Sequence, residues 1–242
     1  MRAGYQVGHV VLRDTVDHQQ QWQNNLSQFR AARDAGFDAY CFGHHFLIDP
    51  FQHFQPWTVL ARMAAEPGNM TLATSVLLLP LLNPVEVAEQ AATLDHISEG
   101  RFVLGIGLGY REEEFAAFGV EPSQRVGRMR EALELIKLLW TEEEVEFNGR
   151  YYHVPKVKLA TRPVQRPHPP IWVAANGNRA IRRAARWGYP WLVNPHATVS
   201  MVTGQLEMYR DALSKAGQPA SSLPMMRELY VAQDRETAYN ES

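Results

Sequence analysis

The sequence is poor in cysteine, in long apolar runs and in excess charge of either sign. Its single cysteine, Cys41, excludes an intramolecular disulfide framework, and 24 Lys and Arg residues nearly balance 26 Asp and Glu residues. No basic excess points to a nucleic acid or an anionic membrane surface. The most apolar segment, 72–82, contains Pro80 and is far shorter than the roughly 20 residues of a membrane helix. We therefore expect a soluble cytoplasmic protein that binds neither nucleic acid nor membrane.

Length and apolar content are sufficient for a large core. The 242 residues are 45% apolar, and a chain of this size buries roughly three quarters of the surface that its unfolded form exposes. A single α/β barrel commonly takes about 250 residues. We therefore predict one domain over 1–242.

Short apolar runs alternate with helical patterns along almost the whole chain. The helical patterns repeat an apolar residue every three or four positions, as from Trp22 to Phe29 and from Val126 to Trp140. The predicted strands are 5–12, 37–42, 70–79, 102–106, 171–174, 191–193 and 225–232. This alternation predicts βαβ units and a parallel sheet, so the expected fold is an α/β barrel of the TIM type, (β/α)8.

Seven predicted strands are one fewer than such a barrel needs. The stretch 141–170 interrupts the alternation, because Asn148-Gly149 between two alternating runs is a strong β-hairpin pattern and a proline-rich segment follows it. We interpret this stretch as an insertion between the fourth predicted helix, which ends near Trp140, and the fifth predicted strand, 171–174. After the seventh strand the chain reaches only the opening of a helix. We therefore expect the C-terminal unit of the barrel to be missing from this chain or to be covered by a partner chain.

Three glycines at the end of the fourth predicted strand could let the backbone approach a ligand. They are Gly105, Gly107 and Gly109, and Tyr110 follows them. Their spacing differs from the GxGxxG of dinucleotide-binding folds, and no strand ending in a ribose-binding acid follows about 20 residues later. These glycines therefore fit a ligand-binding strand end at the C-terminal face of a barrel better than a dinucleotide-binding loop. The alternative is a tight strand-to-helix turn that binds no ligand.

Two adjacent histidines, His44 and His45, close the second predicted strand. Adjacent residues of a strand point to opposite faces, so these two cannot share one metal ion. One of them could face the barrel mouth as an acid, a base or a hydrogen-bond donor while the other packs. A metal-dependent barrel hydrolase would need His-x-His on the first strand, which offers only His9. We therefore predict no metal site.

A phosphate-binding segment is predicted between the fifth strand and the helix after it. Asn176, Gly177 and Asn178 stand at a helix N-terminus, where free backbone N–H groups and the positive end of the helix dipole suit an anion. An ordinary helix cap is the alternative. Arginines also lie around the start of the fourth helix, and Arg128 is the one that we assign to the same phosphate.

Several long motifs, spread over nearly the whole chain, occur together in one known family. They are Thr74-Ser-Val-Leu-Leu-Leu-Pro, Leu94-Asp-His-Ile-Ser-Glu-Gly-Arg-Phe, the glycine strand followed by Glu113-Glu-Phe, and Arg162-Pro-Val-Gln-Arg-Pro-His-Pro-Pro. In these motifs the chain resembles the bacterial-luciferase-like family of flavin-dependent oxidoreductases and monooxygenases.

This resemblance implies an eight-stranded barrel that binds reduced FMN, or in sister branches a deazaflavin coenzyme, at its C-terminal mouth. It implies a monooxygenase that uses molecular oxygen on a small organic substrate. A deazaflavin-dependent oxidoreductase that transfers a hydride and a non-catalytic flavin-binding partner subunit are the alternatives. NAD(P)H or a partner reductase would be the reductant, and a homodimer or higher homo-oligomer is expected.

The resemblance also implies roles for single residues. The family's non-proline cis peptide, which supports the flavin ring, falls on Ser75–Val76. The family's Glu-His-His becomes Gly43-His44-His45, so the histidines carry over as catalytic residues and the glutamate does not.

The flavin phosphate needs other partners in this chain. Luciferase has an arginine for the phosphate where this chain has Leu108, so Asn176, Gly177, Asn178 and Arg128 take that role in our prediction. Gly107, Gly109 and Tyr110 complete the predicted cofactor site. The sequence predicts no particular substrate.

Overall fold

The computed structural model describes residues 3–6, 11–12, 14–220 and 222–241. The chain forms two compact units, Met1–Trp172 and Val173–Ser242. None of the helices in the described part of the chain is long and apolar enough to cross a membrane. The single domain with an insertion at 141–170 stays a prediction.

The first unit alternates strands with helices. Its strands are β1 (Gly4–Gln6), β2 (Val11–Leu12), β3 (Ala39–Phe42), β4 (Phe51–Gln52), β5 (Thr71–Thr74), β6 (Leu77–Leu78), β7 (Phe102–Gly107), β8 (Val145–Asn148) and β9 (His153–Val157). Its helices are α1 (His18–Asp34), α2 (Pro56–Ala64), α3 (Pro84–Ile97), α4 (Glu112–Ala117) and α5 (Arg125–Thr141). Single 3-10 turns lie at Leu79–Leu81 and Pro122–Gln124.

A parallel sheet with the order β1-β3-β5-β7 is the centre of this unit, and β6 pairs with β7 as well. All six residues of β7 are buried, as expected of a strand that is covered on both faces. The parallel sheet of βαβ units that the sequence predicts is therefore confirmed.

Two of the predicted strands differ from those in the structure. The predicted strand 70–79 is divided into β5 and β6 by the cis peptide between Ser75 and Val76. Of the predicted strand 5–12, residues 7–10 lie outside the described residues, while β2 pairs in antiparallel fashion with β4.

The local signals for helix ends are confirmed. Asn83 caps α3, since its Oδ1 accepts the backbone N–H of Val85 at 2.9 Å, and Pro84 occupies the first helical position. Gly100 ends the same helix with φ +76°, and its N–H donates to the carbonyl of Asp95 at 2.8 Å. A residue in this left-handed conformation is most often glycine, as predicted here.

The buried carboxylate of Asp95 attaches the proline-rich segment to the sheet. Its Oδ2 accepts the backbone N–H of Gln165 at 2.9 Å, and its Oδ1 accepts the side-chain amide of Gln165 at 2.7 Å. The same amide donates to the carbonyl of Phe102 in β7 at 2.7 Å. Two of the family-like motifs, around Leu94 and Arg162, thus meet through one buried hydrogen-bond network.

A β-hairpin formed by β8 and β9 follows α5. Its loop runs from Gly149 to Tyr152, and the backbone N–H of Gly149 donates to the carbonyl of Tyr152 at 2.9 Å. Glu131 of α5 accepts the backbone N–H groups of Arg150 and Tyr151 at 3.1 and 2.8 Å. The loop is therefore longer than the tight Asn148-Gly149 turn, and a helix carboxylate holds it.

The second unit contains β10 (Ile171–Ala174), which begins just before it, β11 (Trp191–Leu192), α6 (Asn178–Arg186), α7 (Val199–Lys215) and α8 (Arg235–Glu241). β10 and β11 are parallel, and Val173 pairs with Trp191. The indole N–H of Trp191 donates to the carbonyl of Ala175 at 2.7 Å, and its ring packs against that of Tyr209.

The strand predicted over 225–232 is reduced to a single bridge between Val193 and Met225. The N–H of Val193 donates to the carbonyl of Pro224, and the N–H of Met226 donates to the carbonyl of Val193. The ladder stops because Pro195, two residues after Val193, has no N–H to continue it. The prediction of an extended strand beyond Met225 is therefore wrong.

Candidate active site

His44, just beyond the end of β3, is a buried and neutral histidine. It is 4% exposed, and its Nδ1 accepts the backbone N–H of Leu78 at 3.2 Å, which assigns the ring proton to Nε2. Burial, with a smaller effect of His53, lowers the pKa of His44 to about 3, against the opposing effect of the hydrogen bond that the ring makes to the side chain of Gln55. This histidine therefore holds the end of β6 and does not gain a proton near neutral pH.

His45, its neighbour, is 30% exposed and is oriented by a buried carboxylate. Its Nδ1 lies 3.0 Å from Oε1 of Glu114 in α4, and the same oxygen accepts the backbone N–H of Phe46 at 2.8 Å. Glu114 is fully buried, and within the described part of the chain its Oε2 has no hydrogen-bond partner. Because Nδ1 is held by Glu114, Nε2 is the atom that His45 can present to a ligand.

A third histidine, His53, lies beside these two. Its Nε2 donates to the carbonyl of Gly43 at 3.3 Å, and its ring centroid is 5.9 Å from that of His45. Burial, and then the nearby His45, lower the pKa of His53. Among the described residues, no three His, Cys, Asp or Glu side chains are placed to hold a metal ion.

The sequence predicted two members of this cluster and missed the other two. Glu114 belongs to the Glu-Glu-Phe motif that carries the family resemblance, so a signal for it was present, although no role followed from it. His53 had no sequence signal, because nothing in the order of residues shows that the chain folds back onto Gly43 after ten residues.

The peptide bond between Ser75 and Val76 is cis, as the resemblance implies. The side-chain amide of Gln6 donates to the carbonyl of Ser75 at 3.3 Å. A Cβ atom placed on Gly43 would lie 3.7 Å both from this carbonyl oxygen and from Cε1 of His53. The cis peptide and the histidine cluster therefore share one wall of the site.

Gly105, the first glycine near the end of β7, is required by the packing of β7 against β5. The N–H of Gly105 donates to Oγ1 of Thr74 at 2.9 Å, and that hydroxyl donates to the carbonyl of Gly105 at 2.7 Å. A Cβ atom on Gly105 would lie only 2.0 Å from the carbonyl oxygen of Thr74. Close approach of β5 and β7 thus requires this glycine, whether or not a ligand binds.

Gly107, Gly109 and Tyr110 connect the end of β7 to the histidine cluster. Gly107 ends β7 as the register partner of Leu78, and Gly109 has φ +74°. Tyr110 is 74% exposed, and its ring centroid lies 5.8 Å from that of His45. The fold therefore brings Tyr110 to the edge of the histidine cluster.

The residues predicted to hold the phosphate fall into two groups. In the first unit, Nε of Arg128 donates to the carbonyl of Pro80 at 2.9 Å, and its guanidinium lies 5.0 Å from the ring centroid of Tyr152. Asn176, Gly177 and Asn178 belong to the second unit and are exposed at the N-terminus of α6. Gly177 is the N-cap of this helix, with no side-chain cap.

The chain is 34% identical over 202 residues to the F420-dependent glucose-6-phosphate dehydrogenase of Kineococcus radiotolerans, covering 77% of this chain and 59% of that protein. The chain spans about half to two thirds of the length of the curated relatives that it matches.

Two solved structures have a similar fold. Monooxygenase RslO1 from Streptomyces bottropensis has a TM-score of 0.91 and 29% identity, covering all of this chain and 75% of its own. The oxygenating constituent of 3,6-diketocamphane monooxygenase from Pseudomonas putida, solved with FMN, has a TM-score of 0.82 and 22% identity, covering 91% of this chain and 64% of its own.

The α/β fold of the chain is thus that of luciferase-like enzymes built on a TIM barrel. The family model described as luciferase-like monooxygenase matches residues 1–242. The chain therefore belongs to the luciferase-like monooxygenase family.

Proposed function

We propose that this chain is the flavin-binding part of an oxidoreductase, and that it uses reduced FMN and molecular oxygen to oxidise a small organic molecule. The observation that carries this proposal is the partly exposed His45, oriented by the buried Glu114, in a histidine cluster whose member His53 lies next to the carbonyl of the cis Ser75–Val76 peptide. Family membership and the FMN-bound relative support the choice of cofactor.

The residues present fit a flavin. The carbonyl of Ser75, held by Gln6, and the half-buried apolar side chain of Val76 would lie against the ring. The assignment of Arg128, Asn176, Gly177 and Asn178 to the phosphate stays a prediction from the resemblance. When bound, reduced flavin supplies the electrons, either by activating oxygen or by passing a hydride.

The chain's own residues would move protons and exclude water. Nε2 of His45 would give a proton to the reacting molecule or take one from it, while Glu114 holds the opposite nitrogen and so fixes the direction of the ring. The rings of Phe46 and Phe118 pack with their centroids 4.5 Å apart, and Phe46 also contacts His44. These rings would keep one side of the site apolar.

We expect His45→Ala to lower the turnover of reduced flavin by about 10²–10⁴-fold, the contribution of a positioned acid or base. His44→Ala should instead lower the melting temperature, because it removes the buried acceptor of the Leu78 N–H. The measurement is oxygen consumption with chemically reduced FMN, after subtraction of the consumption by the same FMN without protein, together with thermal unfolding of each variant. His18→Ala, which changes an exposed histidine of α1, is the control. Unchanged turnover in His45→Ala would contradict the assigned role.

The alternative cofactor is a deazaflavin, since the similar dehydrogenase of Kineococcus is F420-dependent. In that case the chain would transfer a hydride and would not use oxygen. Titration with FMN and with F420, followed by quenching of tryptophan fluorescence and by the shift in melting temperature, separates the two. We expect micromolar binding of FMN and weaker binding of riboflavin, which has no phosphate. A chain that binds neither FMN nor F420 would overturn the proposal and favour a non-catalytic partner subunit.

The reductant and the assembly stay predictions from the resemblance. They are NAD(P)H or a partner reductase, and a homodimer or higher homo-oligomer.

A further inference from the structure

Leu47, two residues after His45, has an unusual backbone conformation for a leucine. Its φ is +51°, and within the described part of the chain only Glu99 is another non-glycine residue with positive φ. Left-handed backbone disfavours large side chains, and glycine, asparagine and aspartate are the usual residues there. The leucine side chain is also 68% exposed, so it gains little from burial. Neither backbone conformation nor packing therefore explains a leucine at this position.

The helix α4 holds this backbone at two points. The N–H of Phe46 donates to Oε1 of Glu114 at 2.8 Å. The carbonyl of Leu47 accepts from Nη2 of Arg111, the N-cap of the helix, at 3.3 Å. Because Glu114 also orients the ring of His45, one helix fixes this histidine and the strained leucine relative to each other. Strained residues persist where surrounding contacts hold them, and they cluster at sites that bind ligands.

The exposed surface at this end of the sheet is apolar. The rings of Phe46 and Phe118 lie 4.5 Å apart, and Phe51 of β4 is the register partner of Leu12 in β2. Most of the large apolar side chains that are exposed in the described part of the first unit follow the carboxyl ends of β1, β3 and β7, namely Leu12, Leu47, Phe51, Tyr110 and Phe118. Ligands of parallel α/β sheets bind at these ends, and exposed apolar surface often marks a binding site.

The charges beside Leu47 offset each other. The guanidinium of Arg111 donates to the Leu47 carbonyl and lies 3.8 Å from the carboxylate of Glu113. An anionic group of a ligand would therefore meet a cation that already has an anionic partner. An uncharged hydrocarbon group fits this surface better.

We propose that Leu47 is a specificity-determining residue, and that its side chain contacts an uncharged hydrocarbon chain or ring of the substrate. This role rests on the proposed function in one respect, since the reacting group of the same molecule is placed at His45. A leucine at a strained and exposed position supplies apolar contact area that glycine or asparagine lacks. The substrate is thus a mainly apolar molecule with one polar, reactive group.

Methyl ketones of increasing length test this contact, namely butan-2-one, hexan-2-one and octan-2-one. Their dissociation constants are measured by calorimetric titration of the whole chain, without flavin and then with oxidised FMN. Each methylene that is buried on binding tightens it by up to about four-fold. We therefore expect octan-2-one to bind at least about ten-fold more tightly than butan-2-one.

Substitutions of Leu47 separate its contact with the ligand from its effect on the fold. Leu47→Gly should weaken binding of octan-2-one by about five-fold or more and of butan-2-one by less than about two-fold. Leu47→Asn should act in the same way, whereas Leu47→Met, which stays apolar, should keep most of the affinity.

Glu99→Gly is the matched control. It removes a side chain at a similar φ of +54°, but just before β7, at the opposite end of the sheet from His45. The dissociation constants of all three ketones should not change. The melting temperatures of Glu99→Gly and Leu47→Gly should stay equal to that of the unmodified chain or rise, because glycine adopts positive φ without strain.

Three results would overturn this role of Leu47. They are no binding of octan-2-one, equal affinities of the unmodified chain for the three ketones, and the same length dependence in Leu47→Gly. If the length dependence requires Leu47 but neither FMN nor F420 binds, the proposed function fails and the contact stands. If FMN binds and turnover requires His45 while ketone affinity does not depend on Leu47, only the role of Leu47 fails.

Discussion

Gly105→Ala is expected to cost the first unit at least about 3 kcal/mol of folding free energy, at the upper end of what overpacking a core causes. The added Cβ would lie 2.0 Å from the carbonyl oxygen of Thr74, and that oxygen belongs to the backbone of β5. A flexible side chain could move away, but here two neighbouring strands would have to separate. The two hydrogen bonds between Thr74 Oγ1 and Gly105 would be lost as they do so.

Urea unfolding followed by tryptophan fluorescence measures this loss. Gly43→Ala is the matched control, because it adds the same methyl group in the same unit at distances of 3.7 Å or more. We expect the control to change the unfolding free energy by less than about 1 kcal/mol. Similar stability of the two variants would show that β5 and β7 do not approach as closely as described.

Asp95→Ala is expected to lower the unfolding free energy by about 3 kcal/mol. The substitution removes a fully buried carboxylate and leaves the backbone N–H of Gln165 without its acceptor. The side-chain amide of Gln165 would keep only its bond to the carbonyl of Phe102. Attachment of the proline-rich segment to α3 and β7 should weaken as a result.

Denaturant unfolding and limited proteolysis of the proline-rich segment check this expectation. Glu89→Ala changes an exposed carboxylate on the same helix, α3, and should alter stability by less than about 0.5 kcal/mol. Asp95→Asn should fall between the two, since it keeps one acceptor oxygen. If Asp95→Ala and Glu89→Ala were equally stable, the buried network would not contribute to folding.

The helix ends and the central strands were predictable because their causes are local. Asn83 caps α3 through a backbone N–H only two residues away, and Gly100 closes the same helix through its own φ. The burial of all six residues of β7 follows from a continuous apolar run. Such features need only neighbouring residues, so the order of residues along the chain contains them.

The strand over 225–232 was not predictable in the same way. Its apolar residues are sufficient for a strand, but a strand also needs a partner with available N–H and C=O groups. The partner here ends at Val193, before Pro195. Whether an apolar run becomes a strand therefore depends on a segment about 30 residues earlier in the chain.

The sequence by itself determined the family, the parallel α/β class, the helix caps and the presence of two histidines at the end of β3. Only the tertiary structure decided what each histidine does. Leu78, 34 residues from His44, and Glu114, 69 residues from His45, make one ring a buried neutral acceptor and the other an oriented, partly exposed group. Burial and hydrogen-bond partners set the protonation and direction of a side chain, and both arise from residues that only the fold brings together.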